Sequence, residues 1–286
     1  MALSVIIDPK VRLRQHTYWV RSVDWSPDGQ LLATGSADKN LRAFDLEGKE
    51  ADDGHPVTTI KAHSSTINSI SASSDGKLIA SGSYDKLAKI FDAASGKEYL
   101  KMESSRSPVL CVCFSTDSSQ LLSGSGQGEV FVTDVGKKSL VQTIQAHEGP
   151  VNVICFSKSG KYMLTGGDDK CANVFSCDDK QKWTFFRKLK HADKVTSAAF
   201  SPGDDLLVTG CADSIARIFR VGQEWDEVAR VKGHTDELNS VAFTGKAPRL
   251  YLATGSDDKS ALIWDVSKVL ITLKVAKARS SPQPTE

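Results

Sequence analysis

Neither sign of charge dominates this chain: 36 lysines and arginines face 35 aspartates and glutamates over 286 residues, a net charge of +1. Such a balance creates no field that draws the protein to nucleic acid or to an anionic membrane, and neither is expected as a general partner. Long hydrophobic runs are missing too. No stretch approaches the roughly 18 apolar residues of a membrane-spanning helix, and Asp8 interrupts the N-terminus before an apolar signal core can build. Cysteine is sparse and unpatterned: Cys111, Cys113, Cys155, Cys171, Cys177 and Cys211 fit neither a disulfide framework nor a zinc knuckle. Cys111 and Cys113 share a strand face but lack a matching second pair, so no metal is expected. Also absent are a phosphate-cradling glycine loop at a strand-to-helix junction and an isolated nucleophile with an orienting base. No cofactor and no small-molecule substrate are therefore expected. Together these absences predict a soluble protein of the cytoplasm or nucleus with reduced thiols.

What the chain does have is a repeat. His16 opens a unit that runs through Val20 to Trp25, a Ser-Pro-Asp-Gly turn, Leu31 to Asp38 and Ala43 to Asp45, and similar units open at His63, Ser105, His147, His191 and His234. The intervals are 47, 42, 42, 44 and 43 residues, enough for four short strands each. Apolar residues come as brief β-branched or aromatic runs, such as Val151 to Phe156 and Ala216 to Phe219, broken by turn residues. That pattern predicts short antiparallel strands joined by tight turns, not helical repeats.

Gly233-His234 before the first strand of the last unit and Trp264-Asp265 at the end of its third strand complete a signature with looser copies elsewhere, among them Ala62-His63, Ala146-His147, Phe44-Asp45 and Phe91-Asp92. On these residues the chain resembles the WD-repeat family over residues 16 to 265. The resemblance implies an all-β fold, a β-propeller of six recognisable four-stranded units with a possible incomplete seventh blade. The six repeats span about residues 16–45, 63–92, 105–134, 147–176, 191–220 and 234–265. Residues 1–275 are expected to form a single domain and 276–286 a disordered tail.

The family's polar relay runs from a histidine through a serine or threonine and an aspartate to a tryptophan. Here it maps onto His16, Thr34, Asp38; His63, Ser81, Asp85; His147, Thr165, Asp169; His191, Thr209, Asp213; and His234, Thr254, Asp258, the last alone adding Trp264. A histidine, a hydroxyl and an aspartate could suggest nucleophilic catalysis. A catalytic trio occurs once in a site, whereas these recur at a His-to-Asp spacing of 22 residues in four units and 24 in the last, so the expected role is structural and the protein is not expected to be an enzyme. The unit at Ser105 keeps only Ser123 of the four positions, with Gln127 and Thr133 in place of the aspartate and tryptophan.

The family's binding face lies on the loops entering each first strand and the turns before each relay aspartate. Mapped here, its candidate partner-binding residues are Trp19, Arg21, Asn68, Tyr84, Asn152, Asp168, Lys194, Glu237, Asn239 and Asp257. The expected function is a non-catalytic scaffold for proteins or peptides in a multiprotein complex. The alternative is a subunit that reads a short peptide or a modified residue for a ligase or chromatin complex. Two segments compete as the outermost strand of the last blade, Val5 to Leu13 and Val269 to Val275. The polar connection Glu47 to His55 reads as a solvated loop.

Overall fold

The computed structural model describes residues 13, 15–26, 29–45, 58–222, 224–246 and 249–269. The chain divides into two compact units, Met1–Phe114 and Ser115–Glu286. In the first, β1 (Val20–Trp25), β2 (Leu31–Ser36), β3 (Leu41–Asp45) and β4 (Thr58–Ile60) form one sheet. A second sheet follows from β5 (Ile67–Ala72), β6 (Leu78–Ser83), β7 (Ala88–Asp92) and β8 (Glu98–Met102). Of the third sheet, β9 (Val109–Phe114) ends the first unit, and β10 (Gln120–Ser125), β11 (Glu129–Asp134) and β12 (Ser139–Gln145) begin the second. In the second unit come β13 (Val151–Phe156), β14 (Tyr162–Gly167), β15 (Cys171–Cys177) and β16 (Trp183–Lys190), then β17 (Val195–Phe200), β18 (Leu206–Cys211), β19 (Ile215–Arg220) and β20 (Glu227–Lys232). The sixth sheet shows three strands among the described residues: β21 (Leu238–Lys246), β22 (Arg249–Ser256) and β23 (Ala261–Asp265). Strands are hydrogen-bonded in chain order within each sheet, and the fold is the six-bladed β-propeller expected from the repeat.

In five of the six sheets the turn after the first strand is tied by a serine whose Oγ accepts the N–H five residues on. Ser26 bonds Leu31 at 2.9 Å, Ser73 bonds Leu78 at 2.9 Å, and Ser115, Ser157 and Ser201 bond Gln120, Tyr162 and Leu206 at 3.0 Å. These serines are buried, so the bond satisfies a donor that water cannot reach. Second strands are the most buried; every residue of β10 and β18 is inside, because both sheet faces are covered. Aliphatic clusters fill the layers, with Leu41, Ile67 and Ile79 in the first unit and Leu164, Val195, Leu206 and Ile218 in the second.

Neighbouring sheets in the first unit also lock through first-strand side chains. Ser22 Oγ accepts from the Ile70 N–H at 3.1 Å and Asp24 from Ala72 at 2.9 Å, while Ser69 and Ser71 accept from Val112 and Phe114 at 3.1 and 3.2 Å. Of the two competing outer strands, residues 5–12 and 270–275 lie outside the described residues, as do the 47–55 connection and the 276–286 tail. Residues 267–269 form a helical turn, its Val269 N–H bonded to the Val266 carbonyl at 3.1 Å.

Candidate functional site

The sixth sheet carries the complete relay. Trp264 Nε1–H donates to Thr254 Oγ1 at 3.0 Å, that hydroxyl meets His234 Nε2 at 2.8 Å, and His234 Nδ1 meets Asp258 at 2.8 Å. A carboxylate only accepts, so Nδ1 bears the proton, Nε2 accepts, and the Thr254 hydroxyl must donate to it. Asp258 closes the turn by also accepting the Thr235 and Ser260 N–H groups at 3.1 and 2.9 Å. The same chain without tryptophan holds in three further sheets. His16, His63 and His147 reach Thr34, Ser81 and Thr165 at 2.7, 2.7 and 2.8 Å, and Asp38, Asp85 and Asp169 at 2.9, 2.9 and 2.8 Å.

Burial pushes His16, His63 and His147 below the ordinary imidazole value, outweighing the aspartates that would raise them. Burial also opposes the charge on Asp38 and Asp85, yet donors from the ring and the backbone outweigh it and hold both below the usual carboxylate range. The relay hydroxyls Ser81, Thr165 and Thr209 are fully buried, so no substrate carbonyl can reach them. Thr254→Val keeps the shape and removes both hydroxyl bonds at once. It is expected to lower stability by about 2 kcal/mol in a urea titration, because the indole N–H and the imidazole Nε2 lose their partners together.

The fifth sheet departs from the expected relay. His191 Nε2 meets Thr209 at 2.7 Å, but Nδ1 turns to the Leu189 carbonyl at 3.1 Å, and Asp213 is taken by both ends of the Arg217 guanidinium. In the first sheet Arg42 also reaches its aspartate, at 3.0 Å, through Oδ2 alone; the same Nη1 also meets His16 Nδ1, and the His16–Asp38 contact stands. The bidentate fork engages both carboxylate oxygens of Asp213, and the ring Nδ1 of His191 meets the Leu189 carbonyl in its place. Burial, followed by the Arg217 charge, lowers His191 to about 4.

In the third sheet a residue outside the relay positions takes over. Gln145 Nε2 donates to the Gln127 and His147 carbonyls at 3.0 and 2.9 Å, tying the turn that lacks its aspartate. Thr133 is buried there.

Of the ten expected partner-binding residues, four lie in the first unit. Trp19 is 75% exposed, Arg21 is exposed, and Tyr84 is 45% exposed. Asn68 is half-buried and donates to the Val109 carbonyl at 3.0 Å. In the second unit Asn152 divides its amide between Asp168 at 2.7 Å and the Val195 carbonyl at 3.0 Å. Lys194 pairs with Glu237 at 2.9 Å, and Asn239 donates to Asp257. Asn68 and Asn152 are thus half-buried and hold backbone carbonyls.

Around Trp19 the structure adds an apolar strip that repeat matching did not single out. Tyr18, Val20, Val23 and Trp25 are all exposed, Val23 by 59%, whereas the matching Ile67 and Ile70 of β5 and Val109 and Val112 of β9 are buried. At the other end of the repeat, a methyl group on Gly255 of β22 would meet nothing within 4 Å. On Gly82 it would strike Val109 at 2.7 Å, and on Gly210 Ser197 at 2.4 Å.

The family described as WD domain, G-beta repeat matches residues 8–45, 54–92, 96–134, 138–176, 183–220 and 225–265. Curated relatives match over shorter stretches. The chain is 33% identical over 89 residues to Denticleless protein homolog B of Xenopus laevis, covering 31% of this chain and 12% of that protein. It is 35% identical over 78 residues to Pre-mRNA-processing factor 19 of Oryza sativa subsp. japonica, covering 27% and 14%. With THO complex subunit 3 of Arabidopsis thaliana it shares 33% over 88 residues, covering 30% and 28%. These matches thus span less than a third of the relatives' own lengths.

Proposed function

The chain belongs to the WD-repeat family, and from that premise we propose that it is a non-catalytic platform that binds one or more proteins or peptides within a multiprotein complex inside the cell. One observation carries the reading: the strip of Tyr18, Trp19, Val20, Val23 and Trp25, exposed on a first strand whose counterparts are buried. Contiguous exposed apolar surface of this kind marks interaction sites, and tryptophan, tyrosine and arginine supply most of the energy at interfaces. Arg21 stands on the same strand, with Tyr84 on the adjacent sheet. THO complex subunit 3 is by its name a subunit of a complex, which supports the same kind of role.

The test compares proteins retained by the immobilised chain and by a Trp19→Ala/Tyr84→Ala variant from extract of the source cells, quantified by mass spectrometry. Proteins specific to the unaltered chain are expected to fall at least about tenfold, the loss of one interface hot spot. Equal retention on both would sink the assignment. The recognition-subunit reading draws on the carboxylates of Asp168 and Asp257, both exposed, which would meet a basic peptide.

A further inference from the structure

Cross-strand register defines one position in every sheet: the third-strand residue opposite the relay hydroxyl residue, four residues beyond the relay aspartate or its counterpart. It is occupied by Arg42, Lys89, Phe131, Asn173, Arg217 and Leu262 in turn. In the first and fifth sheets the arginine reaches back and pairs with its own aspartate, Arg42 with Asp38 and Arg217 with Asp213. Asparagine is too short for that reach. In the fourth sheet the place is a cleft of about 380 Å³, lined by His147, Asp169, Asn173, Phe175, Phe185 and Lys188 among others.

The cleft carries unmet acceptors. Asn173 is 4% exposed, and its Nδ2 donates to the Ala146 carbonyl at 2.6 Å, which fixes the amide orientation, since a carbonyl cannot receive from Oδ1. Oδ1 is left buried with no hydrogen-bond partner. Asp169 Oδ1 accepts from His147 and the Cys171 N–H at 2.8 and 3.2 Å, while its Oδ2 holds only a long bond of 3.3 Å from the Glu148 N–H. Leaving a buried acceptor unmet is costly, and a ligand donor that meets it recovers that cost on binding. Of the charged lining residues, Glu148 and Asp169 are acidic and Lys188 is basic. Phe175 and Phe185 stand edge to face, 6.0 Å between ring centres, beside these acceptors.

We propose that this cleft binds the guanidinium group of an arginine presented by a partner polypeptide. Asp169 Oδ2 and Asn173 Oδ1 accept its N–H groups, and the exposed Phe185 ring offers a face to the planar cation. The occupant is thus the group that Arg42 and Arg217 supply from within the chain in the other sheets. This inference rests on the reading of the protein as a partner-binding platform and names one side chain that the platform recognises.

The experiment titrates N-acetyl-arginine amide into the ¹⁵N-labelled full chain, with the citrulline and lysine analogues as probes of charge and shape. Saturable shifts confined to residues around His147, Asn173 and Phe185 are expected, with a dissociation constant on the order of 1 mM for so small a ligand. Citrulline should produce none, and lysine should bind at least several-fold more weakly. Asn173→Arg, which fills the cleft from within, should abolish the response, and Phe185→Ala, which removes the exposed ring, should weaken it several-fold while the amide spectrum stays that of the folded chain. No saturable response to arginine, an equal response to citrulline or lysine, or undiminished binding by both variants would overturn the proposal. None of these outcomes touches the Trp19 and Tyr84 test, so the two readings fail separately.

Discussion

Replacing Gly128 by alanine is expected to lower the unfolding free energy by on the order of 4 kcal/mol, near the upper end for a point substitution. Gly128 follows the turn of the degenerate third sheet with a φ of 88°, and a methyl group built on it would sit 2.1 Å from the His147 carbonyl oxygen. That oxygen cannot give way cheaply. The Gly128 carbonyl already accepts the N–H groups of Ala146 and His147 at 2.9 and 3.1 Å, and the His147 carbonyl is itself held by Gln145. The backbone is thus clamped on the side where the methyl must go. The corresponding turn positions in the other sheets are Lys39, Lys86, Lys170, Ser214 and Lys259, with φ between 63° and 72°, so positive φ alone is tolerated there. The contrast supplies the control. Lys86→Gly should change stability by less than about 1 kcal/mol, whereas Gly128→Ala should shift the urea midpoint strongly with an unchanged slope. A shift for Gly128→Ala no larger than the control's would show that the clamp yields.

Relay spacing is legible because the His-to-Asp separation is set by strand length and turn type, which are local. His63, Ser81 and Asp85 meet because two six-residue strands and a tight turn bring them together. Whether a relay closes depends on a competitor from another strand, and Arg217 is visible in sequence without revealing that it will grip both oxygens of Asp213 while Arg42 grips one of Asp38. Gln145 escaped notice because it lies at the end of an outer strand, beyond any position at which the repeat places a polar group.

Exposure was the least legible property of all. Val20 and Val23 differ little from Ile67 and Ile70 in character and register, yet the first pair is exposed and the second buried. Burial of a first strand depends on what covers its sheet face, not on the strand itself. The same reasoning separates Asn68 and Asn152 from Trp19 among the expected binding residues. A polar side chain near a strand end is equally suited to water, a partner or a neighbouring carbonyl, and here the carbonyls of Val109 and Val195 take the amides.

Arg217→Met should raise the pKa of His191 from about 4 toward, though not to, the ordinary imidazole value, while costing about 3 kcal/mol of stability at neutral pH. The cost arises because Arg217 is buried beside Asp213, and its removal leaves that carboxylate with the Ile215 N–H at 3.2 Å among its few remaining donors. The pKa should rise because two changes act together. The guanidinium charge that lowers His191 disappears, and Asp213, freed from the fork, can take the ring Nδ1–H as Asp85 does in the second sheet. Burial, the largest cause of the depression, remains, so recovery is partial. The sign of the pH dependence follows. Between about pH 6.5 and 4 the unfolded chain binds a proton at His191 that the folded protein does not, so the stability due to this residue is fully present above pH 6.5 and is lost as pH falls toward 4, by up to about 3 kcal/mol. His16, His63 and His147, also depressed, add losses of the same sign. In Arg217→Met the His191 share shrinks, so the gap in unfolding free energy between the parent and the variant should narrow from pH 7 to pH 5. Ring-proton titration of His191 and urea unfolding at the two pH values measure both parts. A His191 pKa that stays near 4 in the variant would show that burial alone sets it, and that the arginine does not stand between the ring and its aspartate.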